Sequence, residues 1–111
     1  MSIVLYPRAA PSDRLRIWVG VFQATQTPAL NWSLNGSPIA PLALRKISSV
    51  RPDDMLPADV PPAKVPRAFT GVYEFNNLQA DTSYAITASG GGGITDPDPT
   101  RNESLFVYTL P

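Results

Sequence analysis

The 111-residue chain contains neither cysteine nor histidine. Without cysteine there are no disulfides and no Cys-ligated zinc, and redox compartment is left open. Without histidine the commonest general base, the usual triad base and the favoured zinc ligand are all missing. Catalysis would have to rest on Asp, Glu, Lys, Tyr or Arg. Net charge is also lacking: nine Lys+Arg balance nine Asp+Glu. Such a balance creates no long-range field toward nucleic acid or an acidic membrane. No apolar run approaches the roughly 18 residues of a membrane helix. The opening MSIVLYPRAAPSDR has no basic segment before its apolar run, so it reads as a strand rather than a leader.

What is present is proline and short apolar runs. Thirteen prolines leave little room for helices, and 43% apolar residues suffice for a packed core. Ile3–Tyr6 suggests an edge strand stopping at Pro7. Leu15–Phe22 is the strongest strand: Leu15, Ile17, Val19 and Val21 line one face, Arg16, Trp18, Gly20 and Phe22 the other. Leu30–Leu34 alternates cleanly and runs into Asn35-Gly36, a type I′ hairpin signal. Leu42–Val50 loses its alternation at Arg45-Lys46, which suggests an edge strand. Five prolines make residues 51–67 an extended connection. Phe69–Phe75, Tyr84–Ala88 and Leu105–Leu110 complete the set. The expectation is one all-β domain over residues 1–111, a seven-stranded antiparallel two-sheet sandwich. The close on Thr109-Leu110-Pro111, directly after a strand, suggests a domain taken from a longer chain.

Several stretches look like chemistry. GGGGITDPDPT carries the D-x-D-x-T spacing of dehalogenase-type phosphatases at Asp96, Asp98 and Thr100. That motif needs a buried apolar strand before it and an α/β domain around it. Here glycines precede it, and Pro97 and Pro99 favour an extended loop. The glycine run lacks the Gly-Lys-Ser/Thr of a phosphate loop. Asp96, Asp98 and Glu103 offer oxygen ligands for calcium but not the EF-hand spacing. Asp53-Asp54 beside Arg51, with Asp59 beyond, reads as solvated charge. Pro62-Ala63-Lys64-Val65-Pro66 falls short of a P-x-x-P ligand. No cofactor is called for, and residues 89–102 are expected to form a mobile loop. Trp18 and Phe22, on the outer face of their strand, are the candidate interface.

At LQADTSYAIT the chain resembles the fibronectin type III family, which carries Leu-x-Pro-x-Thr-x-Tyr between its fifth and sixth strands. The matching residues are Leu78, Ala80, Thr82 and Tyr84, with Ala80 in place of proline. The resemblance implies a tyrosine corner: Leu78 plugs the core and the Tyr84 hydroxyl bonds upstream backbone. It also implies an aromatic core residue, for which Trp32 is the candidate, and a Thr-x-Pro-like end at Thr109–Pro111. LRIWVG at 15–20 and FTGVYEF at 69–75 together resemble the β-sandwich preceding the catalytic domain of PhoD-like alkaline phosphatases. That likeness implies a non-catalytic accessory module whose partner is a neighbouring domain or another protein. The alternative is a free-standing domain binding peptide or carbohydrate through loops 35–41, 51–67 and 89–102. Those loops contain no aromatic residue to stack on sugar.

Overall fold

A computed structural model describes residues 2–25, 27–50, 59, 65–90 and 102–111. The described residues form strands without a helix: β1 (Ser2–Ala9), β2 (Leu15–Ala24), β3 (Leu30–Leu34), β4 (Ser37–Ile39), β5 (Leu42–Ser49), β6 (Arg67–Phe75), β7 (Ser83–Gly90) and β8 (Asn102–Tyr108). They make two antiparallel four-stranded sheets, ordered β1-β2-β6-β5 and β4-β3-β7-β8. The fold is all-β and sandwich-like.

The alternation in β2 decides which way the first sheet faces. Leu15, Ile17, Val19 and Val21 are fully buried, as are Phe69 and, nearly so, Phe75 across the ladder on β6. Each such side chain contributes about 1.5–3 kcal/mol of burial before entropy is subtracted. From the second sheet come Trp32, Tyr84, Ile86, Ala88 and Val107. The Trp32 ring joins the sheets, with centroids 5.1 Å from Tyr73 and 5.7 Å from Phe75. The Tyr73 hydroxyl accepts the Ile47 N–H at 3.2 Å, so its polar end is satisfied.

Among the described residues eight strands stand where the sequence suggested seven. The additional one is β4, inside the expected loop 35–41. Three residues including Pro38 are too short to show a period of two. Its hairpin follows the expected turn, with Asn35 at φ 50° and Gly36 at φ 84°. Asn35 also pins the hairpin to β7: its N–H donates to Ala85 O and its Oδ1 accepts the Ala85 N–H, both at 2.8 Å. β1 does not stop at Pro7. It runs on to Ala9, because an edge strand tolerates a missing N–H, and a register shift follows between Pro7 and Ala9. Leu42–Ser49 is an edge strand, with register shifts on both sides of Arg45. β8 begins at Asn102 and ends at Tyr108, earlier than Leu105–Leu110.

The corner before β7 is held by hydroxyls. Tyr84 is buried, and its hydroxyl accepts the Gln79 N–H at 2.7 Å. Leu78 packs against the core cluster. The Thr82 hydroxyl donates to Ala80 O at 2.8 Å. Thr109, fully buried, then ties the end of β8 to the same corner. Its Oγ1 donates to Gln79 O at 2.6 Å and accepts the Thr82 N–H at 3.0 Å. Thr109→Val should leave those buried groups unpaired and cost about 1–3 kcal/mol, whereas Thr109→Ser keeps the hydroxyl and loses less. Urea unfolding checks this; equal midpoints for the two variants would contradict it.

Candidate functional site

The outer face of the first sheet carries the sequence-predicted interface residues. Trp18 and Phe22 lie there, both half-buried, because the period-two pattern of β2 turns the even residues outward. A Cβ on Gly20 would lie 2.6 Å from Trp18 Cη2 and 3.1 Å from Phe22 Cε2. The two rings therefore close over the glycine, which must lack a side chain for them to do so. The pattern breaks only after Val21. Two β2 residues, Phe22 and Gln23, then face one residue of β6, and Gln23 has φ 59°. This bulge restores Ala24 to the core.

Strand pairing extends the patch beyond the residues read from the sequence. Tyr6 on β1 and Val72 on β6 flank Trp18 in register, and Val4 pairs with Gly20. Tyr6 is 64% exposed and Val4 41%. Tyr6 and Val4 belong to a short run that is apolar on both faces, and their cross-strand neighbours were not visible in the sequence. The neighbouring rows are polar. Thr70, paired with Gly20, accepts a hydrogen bond from Arg45 Nη1 at 3.1 Å. Glu74 is buried beneath Arg16, whose Nε donates to Glu74 Oε1 at 2.9 Å; Arg14 Nη1 stands 3.8 Å away. The hydrogen bond from Arg16, aided by the charges of Arg16 and Arg14, holds the Glu74 carboxyl below its ordinary value of 4.5, against the opposing effect of burial.

Two other places offer a concave or an aromatic surface. A cleft of ≈ 420 Å³ opens between Trp32, Ile39, Pro41 and Tyr73. Trp32, at its floor, is 7% exposed and so offers little ring to a ligand. On the outer face of the second sheet Phe106 is 76% exposed and Tyr108 59%. The Asp81 carboxylate accepts the Tyr108 hydroxyl, and this bond, reinforced by the Asp81 charge, holds the phenol above its ordinary value of 10.0. Neither aromatic was singled out from the sequence, because Leu105, Phe106, Val107 and Tyr108 are apolar on both faces.

The phosphatase-like Asp96, Asp98 and Thr100 lie outside the described residues, as do Gly91–Gly93, Arg51, Asp53 and Asp54. Glu103 belongs to β8, but its carboxylate is likewise outside them. Asp59 is an exposed turn residue. The expected mobile loop 89–102 is outside them from 91 to 101, while Ser89, Gly90 and Asn102 are strand. Among the described residues no three acidic groups converge on a metal position, and no helix is long and apolar enough to cross a membrane. No family model, curated protein or solved structure matches the chain.

A carboxyl with a lowered folded-state value stabilises the fold fully above its ordinary range. That stabilisation is lost as pH falls through the lowered value. Glu74→Gln should therefore lower the melting temperature at neutral pH and flatten its decline below about pH 4.5. A melting temperature with unchanged acid slope in the variant would contradict the assignment.

Proposed function

We propose that the chain is a non-catalytic, fibronectin III-like sandwich module. It serves as an accessory domain of a larger protein such as a metallophosphatase, and docks through the outer face of the first sheet. The observation that carries the docking reading is the row Tyr6, Trp18 and Val72, continued by Val4 and Phe22. A sheet face in contact with water alone normally alternates to polar residues. Here the row Tyr6, Trp18 and Val72 is apolar and aromatic, bordered by Arg16, Arg45, Thr70 and Glu74. An apolar centre within a charged rim is the composition of a docking surface.

The strand order supports the family part of the reading. The two sheets have the immunoglobulin constant-type pairing with one strand added beside β3. The bond from Gln79 N–H to the Tyr84 hydroxyl supports it too, since a tyrosine corner bonds backbone a few residues upstream. The rival reading, a peptide or carbohydrate binder, would use loops 35–41, 51–67 and 89–102; the first of these borders the cleft beside Trp32, whose ring is almost wholly buried.

The test compares the isolated domain with the same domain joined to its natural neighbour. Buried Trp32 is protected from iodide in both, so a change in quenching reports Trp18. Docking predicts a clear fall in quenching on joining, and its reversal by Tyr6→Ser with Phe22→Ser. Equal quenching in both contexts would contradict docking. The coding sequence after Pro111 tests the accessory assignment: a metallophosphatase domain supports it and an immediate stop codon contradicts it.

A further inference from the structure

The chain contains one Asn-Gly pair, Asn35-Gly36, and no Asp-Gly. Asparagine is a thermolabile residue, most of all before glycine, where no side chain crowds the next nitrogen. The backbone nitrogen of the glycine attacks Cγ of the asparagine. A C–N bond forms, the nitrogen's proton passes to the side-chain amide, and ammonia leaves. Water then opens the five-membered imide at either carbonyl. One opening gives aspartate with the main chain intact. The other gives isoaspartate, in which the main chain runs through Cβ and Cγ. Each product replaces a neutral amide with a carboxylate. Both residues of the pair are exposed here. Apart from its chain neighbours, no atom lies within 4 Å of a Cβ built on Gly36, so the attack meets no steric barrier.

Ala85 restrains the reaction. The Asn35 N–H donates to Ala85 O and Asn35 Oδ1 accepts the Ala85 N–H, both at 2.8 Å. Two bonds to one residue fix the side chain of Asn35 as well as its backbone. The β3–β7 ladder reaches only to Leu34↔Ile86, so the Asn35 side chain takes the place of a further strand residue beside Ala85. Drawing Cγ onto the Gly36 nitrogen has to release Oδ1 from that N–H.

We propose that Asn35-Gly36 is a self-modifying site gated by the Ala85 clamp. The closed clamp protects the amide, local opening exposes it, and the two products have opposite effects on the fold. Aspartate keeps an oxygen for the Ala85 N–H and tolerates positive φ, so it retains the hairpin. Isoaspartate adds one main-chain carbon to the turn. The loop sets the register of a hairpin, so the Leu34↔Ser37 pair beside it is lost. Only Ser33↔Pro38 and Trp32↔Ile39 are then left to hold β4, which is three residues long. The modification therefore loosens β4 from the second sheet. It is independent of docking at the Trp18 face.

Peptide mapping by mass spectrometry of the full chain, aged at neutral pH, tests the proposal. Asn35 should deamidate at least about tenfold more slowly in the folded chain than in urea, which is about 1.4 kcal/mol of local opening. Below the unfolding transition its rate should rise with urea in step with hydrogen exchange of the Ala85 amide. Ala85→Pro removes the N–H that holds Oδ1 and should speed the reaction in a folded chain; the exchange comparison decides the matter if that variant does not fold. Asn35→Asp should melt close to the parent chain, and the isoaspartyl form, separated chromatographically from aged protein, clearly lower. Equal rates in the folded chain and in urea would overturn the proposal. So would a rate that ignores Ala85 exchange, or an isoaspartyl form as stable as Asn35→Asp.

Discussion

The period-two burial of β2 is the constraint on which the rest depends. β2 lies between β1 and β6 and pairs with both, so its register fixes which face of each neighbour is buried. With Leu15, Ile17, Val19 and Val21 inward, Ile3 and Leu5 must face the core, and so must Phe69 and Phe75. The same register obliges Trp18, Phe22, Tyr6 and Val72 to stand on the other side. A slip by one residue would exchange the aliphatic set for Arg16, Trp18 and Gly20. The candidate docking surface is thus not an addition to the fold. It is the reverse side of the strand that organises the core.

The second sheet is fastened by polar groups rather than by one dominant strand. Asn35 links the β3–β4 hairpin to β7, and Thr109 links the end of β8 to the corner at Gln79–Thr82. Each of these residues satisfies backbone groups that would otherwise be unpaired where the chain turns. The two sheets consequently differ in what they leave over. The first leaves an apolar face with a buried Glu74 held by exposed Arg16 at its rim. The second leaves a regular edge strand with two aromatic side chains.

Much of the fold was legible in the sequence, for identifiable reasons. β2 and β3 alternate strictly, and Asn35-Gly36 specifies a turn with two positive φ values. β5 announced itself as an edge through Arg45-Lys46. β4 was hidden because three residues carry no period, and the extent of β1 because Pro7 looks like a stop. The site was legible only in part. Trp18 and Phe22 follow from the alternation of one strand, but Tyr6, Val4 and Val72 join them through pairing that no local pattern encodes. Glu74 drew no reading from the sequence, because the Arg16 that holds it lies 58 residues away in the chain. Thr109 gave no signal of its burial, since a threonine after a strand fits a loop equally well.

Both the register of β2 and the outer patch require the Trp18 ring to lie over Gly20 on the outside of the first sheet. Nuclear Overhauser contacts of the Trp18 indole measure this most directly. Contacts to the Gly20 α protons and to Tyr6 and Val72 are expected, with the Gly20 α protons shifted upfield by the ring. Contacts from Trp18 to Ile86 or Ala88, with unshifted Gly20 protons, would place the ring in the core and contradict the account.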